Sequence, residues 1–170
     1  MLIDSRRKGT QWQCTYLNVG RINEAAILVH GLTAYGLVWQ MTNVSSRPLL
    51  LLVEDHEDTR QMYAEFLGTS FDVVQARDGT QALDALSRNV PALVITDYSL
   101  PGIDGFELIR RMRGNRSTRD VPAICLSGYS GDRHEQRARE VGCDRMLEKP
   151  CLPDQLAEIA REMAKRGRGV

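Results

Sequence analysis

The stretch Leu49-Leu50-Leu51-Leu52-Val53-Glu54-Asp55 is an apolar β-type run that stops on two carboxylates. Three later runs end the same way. Ala92-Leu93-Val94-Ile95-Thr96 leads to Asp97, Val121-Pro122-Ala123-Ile124-Cys125-Leu126 to Ser127, and Asp144-Arg145-Met146-Leu147-Glu148 to Lys149. In an open parallel sheet, ligands bind in the crevice beyond the carboxyl ends of the strands. On that geometry Glu54, Asp55, Asp97, Ser127 and Lys149 converge from distant parts of the chain.

Between these runs lie helical patterns. Met62, Tyr63, Phe66 and Leu67 recur at helical spacing, and Phe71-Asp72-Val73-Val74 then reads as another strand. Asp78-Gly79 opens a second helix bearing Ala82, Leu83 and Leu86. A third starts near Asp104, with Phe106, Ile109 and Met112 inward and Arg110, Arg111 and Arg113 outside. A fourth, polar helix runs from about Asp132 to Val141. The fifth begins at Pro153, a residue suited to a first helical position, and places Leu156, Ile159, Ala160 and Met163 on one stripe. Five strands alternating with five helices predict an α/β, doubly wound, three-layer sandwich.

Residues 1–47 do not continue the alternation. They are expected to be an N-terminal extension, either poorly ordered or an upstream-start artefact, with Met41 just ahead of the first strand as the natural beginning, or else a real helix or interaction arm. Residues 48–166 form the predicted domain and 167–170 a tail. One helix uses most of the sequence after Pro150, so no output module is expected there.

The chain has 170 residues, with 22 basic and 22 acidic side chains. That balance lacks the positive excess that marks binders of nucleic acid or anionic membranes. The apolar part of residues 25–39 is interrupted by His30, Gly31 and Gly36, short of the ~20 apolar residues a membrane helix needs. Cys14, Cys125, Cys143 and Cys151 show no C-x-x-C spacing and are expected to be reduced, structural thiols of a cytoplasmic protein.

Three carboxylates in one crevice raise one another's pKa values unless a cation compensates. Lys149 supplies one positive charge and a divalent ion supplies two. Mg²⁺ suits the site, since it takes one or two carboxylates, keeps waters and completes its shell with phosphate oxygens. Phosphoryl transfer asks a protein mainly for positioning and charge stabilisation. A carboxylate, a metal, a hydroxyl and an ammonium meet that need.

Residues from about 48 to 166 resemble a receiver domain of two-component response regulators. The matching residues are Glu54-Asp55, Asp97 within Thr96-Asp97-Tyr98-Ser99-Leu100-Pro101-Gly102-Ile103-Asp104-Gly105, Ser127-Gly128, and Lys149-Pro150. Each motif is weak alone; in this order and on these strands they are specific. The resemblance implies a flavodoxin-like sheet of order 2-1-3-4-5. It also implies that Asp97 takes a phosphoryl group from a phosphohistidine on a sensor histidine kinase or histidine phosphotransfer protein. Asp55, Asp97 and the backbone carbonyl of Ser99 would ligate Mg²⁺, with Glu54 acting largely through water. Lys149 would pair with Asp97 at rest, Ser127 would move to the phosphoryl group, and Lys149-Pro150 would be cis. The output would be an unidentified protein partner met through the fourth helix, fifth strand and fifth helix, with a phosphorylation-dependent dimer left open. Met146 stands where the family usually has an aromatic switch residue. Ser99 and Tyr129 would flank attacking water.

Blander readings exist for each part. Asp55 and Asp97 taken singly would be caps or solvated loop carboxylates, Lys149 a surface lysine and Ser127 a turn residue. His56 reads as solvated rather than metal-binding, and His30 and His134 as incidental. Arg110, Arg111, Arg113, Arg116 and Arg119 read as a solvated helix face rather than a docking patch for an acidic partner. Two rivals remain: an aspartate-nucleophile phosphatase, which would usually carry a second Asp where this chain has Ser99, and a receiver-fold interaction module without a phosphorylation switch, at which Met146 hints.

Overall fold

A computed structural model describes residues 2–8, 11–17, 47–129 and 131–166. His30 and Met41 lie outside the described residues. The chain divides into two units, Met1–Thr42 and Asn43–Val170.

In the first unit, β1 (Leu2–Lys8) pairs antiparallel with β2 (Gln11–Leu17), from Leu2 opposite Leu17 to Lys8 opposite Gln11. The alternation Trp12-Gln13-Cys14-Thr15-Tyr16 has the period of a half-buried strand. That alternation is the sequence signal for a hairpin not anticipated above.

The second unit runs β3 (Leu49–Val53), α1 (Glu57–Leu67), β4 (Asp72–Ala76), α2 (Gly79–Arg88), β5 (Leu93–Asp97), α3 (Gly105–Gly114), β6 (Ala123–Ser127), α4 (Asp132–Glu140), β7 (Arg145–Glu148) and α5 (Pro153–Arg166). Its five strands form one parallel sheet in the order β4-β3-β5-β6-β7. Counted within the domain, that is 2-1-3-4-5.

Strand side chains alternate across the sheet, so the leucine run of β3 feeds two cores. Leu51 and Val53 join Val94, Ala123 and Cys125 beneath Ala82 and Leu86 of α2, Phe106, Ile109 and Met112 of α3, and Ala138 of α4. Leu50 and Leu52 join Leu93, Ile95, Ile124 and Leu126 beneath Tyr63 and Leu67 of α1 and Leu156 and Ala160 of α5. Burial on both faces explains why these strands lack a polar alternation.

Helix starts follow their side chains. Asp78 accepts the Gln81 N–H at 2.8 Å and Asp104 the Glu107 N–H at 2.7 Å, each satisfying a donor that the first helical turn leaves open. Gly105 follows the second cap for a steric reason. A Cβ there would run into the carbonyl oxygen of Asp97, so α3 packs directly on the end of β5.

Arg113 departs from its expected place on the outside of α3. Its guanidinium donates to the carbonyls of Gly142 (3.0 Å), Arg119 (3.0 Å) and Val121 (2.7 Å) and pairs with Asp144 at 2.7 Å. Asp144 in turn accepts the Ala123 N–H at 2.8 Å. Arg113 therefore ties α3 to the loop before β6 and to the α4–β7 turn. Arg110 and Arg111 are exposed as expected, and both pair with Glu107 at 2.7 Å. The two arginines hold the Glu107 carboxyl down at about 2, well below the usual carboxylate range. Arg119 pairs with Asp120 at 3.3 Å, and Arg116 is exposed.

Candidate functional site

Four of the five strands of the central sheet deliver parts of the site as they end. Glu54 and Asp55 follow β3, Asp97 closes β5, Ser127 closes β6, and Lys149 follows β7. Backbone hydrogen bonds hold these ends in step. Glu54 N–H donates to Ala76 O at 3.1 Å, Tyr98 N–H to Leu126 O at 2.8 Å, and Lys149 N–H to Ser127 O at 2.8 Å. Arg60 on α1 donates to the Glu54 carbonyl at 2.9 Å, which fixes the acidic turn from below.

Lys149 Nζ lies 2.8 Å from Glu54 Oε2 and 3.1 Å from Asp97 Oδ2. Glu54 and Asp97 are buried, whereas Asp55 is exposed. Carboxylate oxygens of Glu54, Asp55 and Asp97 all fall within 4.8 Å of one another. An all-oxygen set of this size, open on the Asp55 side, fits a hard divalent ion such as Mg²⁺.

The charges respond to burial and to each other. Burial pushes the Glu54 carboxyl up, the hydrogen bond and charge of Lys149 oppose that rise, and Asp97 adds to it. For Lys149, burial alone would lower the pKa. Its hydrogen bond to Glu54 and the charges of Asp97 and Glu54 outweigh burial and hold it above the ordinary lysine value. The two partners differ because Lys149 has two anions to itself, while Glu54 shares one ammonium with a neighbouring anion. Lys149 stays protonated and Glu54 is the costly member.

The remaining residues sit at the edges. The Lys149-Pro150 peptide is cis. Ser99 is exposed and lines a groove with Tyr98, Tyr129, Arg133, His134 and Arg137. Met146 is half-buried and packs on the α2–α3–α4 core, beside its register partner Cys125. His56 is the exposed first residue of the α1 cap, with Nδ1 3.2 Å from the Thr59 hydroxyl.

His134 overturns its reading as incidental. Its Nε2 lies 2.9 Å from Ser127 Oγ, and its ring stands edge-on to Tyr98 at 4.5 Å between centroids. The signal in the sequence was its place in the first turn of α4, which the Ser127 loop leads into. Among the described residues Cys125, Cys143 and Cys151 are free thiols. Burial pushes the Cys143 thiol up to about 11 and the Cys125 thiol higher still, so neither is a nucleophile at neutral pH.

Site and sheet order together describe a receiver of the response regulator type. The chain belongs to the response regulator receiver domain family, whose sequence pattern it matches over residues 50–161. It is 36% identical over 121 residues to the response regulator Rre1 of Synechocystis sp., an alignment covering 69% of this chain and 52% of that protein. To the polar-differentiation response regulator DivK of Brucella abortus it is 26% identical over 102 residues, covering 59% of this chain and 83% of DivK. The sensor histidine kinase RcsC of Salmonella typhi is 32% identical over 121 residues, 71% of this chain but 13% of RcsC. The chain thus spans about half the length of Rre1 and a small part of RcsC.

Solved structures agree. The receiver domain of a signal transduction histidine kinase from Syntrophus aciditrophicus matches with a TM-score of 0.66 at 29% identity, covering 72% of this chain and 94% of that one. The chemotaxis response regulator CheY4 of Vibrio cholerae matches with a TM-score of 0.65 at 25% identity, covering 68% and 98%.

Proposed function

We propose that residues 48–166 form a Mg²⁺-dependent phosphoacceptor, with Asp97 as the residue that takes the phosphoryl group from a histidine kinase or histidine phosphotransfer protein. The observation that carries this is Lys149 Nζ lying between Asp97 Oδ2 at 3.1 Å and Glu54 Oε2 at 2.8 Å, beside the exposed Asp55. One ammonium against three carboxylates leaves the charge deficit that a divalent cation fills.

In this reading an Asp97 carboxylate oxygen bonds to phosphorus as the P–N bond of the phosphohistidine breaks. The released imidazole nitrogen keeps the electron pair, and Asp97 becomes an acyl phosphate. Lys149 stays charged and exchanges its contact with Asp97 for one with a phosphoryl oxygen. Asp55, Asp97 and the Ser99 carbonyl would hold Mg²⁺. Glu54, with one oxygen engaged by Lys149, would contribute through water. Bound there, the ion would neutralise charge on the phosphoryl oxygens. The added charge then acts on Ser127 and the adjoining loop, and through them on a protein-binding surface. Water later hydrolyses the acyl phosphate at a rate tuned by Ser99 and Tyr129.

Turnover of this kind makes the protein a signalling module that catalyses its own modification, and its free thiols suit the cytoplasm. Incubation with acetyl phosphate and Mg²⁺ should add one phosphoryl group by intact mass. The group should be absent from Asp97→Asn and from wild type in the presence of a chelator. An unlabelled wild-type protein that is folded and binds Mg²⁺ would instead favour an interaction module without the switch.

A further inference from the structure

The Ser127 hydroxyl is buried and its hydrogen-bonding capacity is already committed. Tyr129 N–H donates to Ser127 Oγ at 3.0 Å, Tyr129 O lies 3.1 Å from it, and His134 Nε2 lies 2.9 Å from it. A hydroxyl has one proton and two lone pairs. The Tyr129 N–H fills one lone pair. If His134 Nε2 carries a proton it fills the other, and the hydroxyl proton goes to Tyr129 O. If Nε2 is bare, it competes with Tyr129 O for that same proton. In both tautomers the single proton is spent on the loop or on α4, and neither Asp97 nor Lys149 is among the partners of Oγ.

The imidazole is itself held in place. Its ring packs edge-on to Tyr98 at 4.5 Å and tilted to Phe106 at 4.9 Å, and the Arg137 guanidinium lies 5.8 Å from the Phe106 centroid. Tyr98 directly follows Asp97. The first turn of α4 therefore grips the site at two points, the Ser127 hydroxyl and the residue next to the acceptor.

We infer that His134 is a positioning residue for phosphoryl transfer, holding the Ser127 hydroxyl toward α4 so that its turn to a phosphoryl oxygen on Asp97 loosens the first turn of α4. The inference rests on the phosphoacceptor reading of Asp97. It gives this chain a polar link from phosphoryl group to helix that Met146, with neither ring nor hydroxyl, does not provide.

The test uses the full chain, acetyl phosphate and Mg²⁺, with the rate of Asp97 labelling read by intact mass. His134→Phe keeps a ring against Tyr98 and removes the nitrogen; it should label roughly two- to tenfold faster, the factor that one net hydrogen bond represents. His134→Gln, which restores an N–H donor, should bring the rate back toward wild type. In a Ser127→Ala background, His134→Phe should change the rate no further, since the two residues act as a pair. His134→Leu serves the same comparison where Phe disturbs folding, as circular dichroism would report. An unchanged rate in His134→Phe, or the same change with and without the Ser127 hydroxyl, overturns the inference. An unlabelled wild type overturns the phosphoacceptor reading itself and this inference with it.

Discussion

Tyr63 on α1 donates its phenolic proton to the carbonyl of Cys151 at 2.9 Å, across 88 positions of sequence. Cys151 lies two residues beyond Lys149, so this bond ties the segment that carries the ammonium to α1. It acts beside the packing of α1 and α5 over Leu50 and Leu52.

Tyr63→Phe should therefore do more than trim stability. It leaves the Cys151 carbonyl without its donor and is expected to cost about 1 to 2 kcal/mol in denaturant unfolding. It should also slow labelling by acetyl phosphate, because Lys149 loses a support. An unaltered labelling rate would show that the cis Lys149-Pro150 turn holds the lysine unaided.

Gly105→Ala tests the contact between α3 and the end of β5. Exchange of an unconstrained glycine for alanine commonly stabilises a protein. Here the added methyl meets backbone at Asp97 O, so a loss of about 1 to 3 kcal/mol is expected. Reduced labelling of Asp97 should accompany it, and a stabilised variant would refute the steric account.

Glu54 should leave a pH signature in chelated, metal-free protein. Burial pushes its folded pKa above the ordinary carboxylate value of 4.5, so the folded state holds that proton more tightly than the unfolded state. Stability then falls as pH rises from about the unfolded value through the raised folded value. Denaturation midpoints measured across that window should decline less in Glu54→Gln. Lys149→Ala should steepen the decline, since an unpaired buried carboxylate is costlier, while leaving Mg²⁺ binding by calorimetry largely intact.

Arg113→Ala removes donors to three carbonyls and one carboxylate in a nearly buried setting. A loss of about 2 to 4 kcal/mol is expected by thermal or chemical unfolding. Arg110→Ala, three positions earlier on the same helix but exposed, should change stability little. Equal effects would return Arg113 to the solvated face.

The strand ends were legible because each β-type run leads to a carboxylate, a hydroxyl or an ammonium. Leu49 to Asp55 announces both a two-sided strand and an acidic turn, and Asp97, Ser127 and Lys149 repeat that grammar. The core-facing residues of α3 were equally clear, since Phe106, Ile109 and Met112 recur at helical spacing. Arg113 was not, because periodicity places a side chain on a face but says nothing of carbonyls that a neighbouring loop presents to it. His134 was missed for a related reason: its partner Ser127 is brought to it by the turn between β6 and α4, and histidine in a polar helix looks the same solvated or engaged. Of the paired strands Leu2–Lys8 and Gln11–Leu17, the second carries its own alternation in sequence, outside the pattern that decided the domain.

The placement of β3 between β4 and β5 bears on how the crevice comes into being during synthesis. Glu54 and Asp55 leave the ribosome before β4 and β5, and their strand gains its second lateral neighbour only when β5 has emerged. The ammonium that pairs with Glu54 follows 95 positions after it. A nascent chain that stops short of Lys149 carries a cluster of unbalanced negative charge at the end of an incomplete sheet. Emergence of β7 and arrival of the site's ammonium are thus one event, which leaves any product truncated before Lys149 both unfinished in fold and unable to hold its acceptor carboxylate in the paired state.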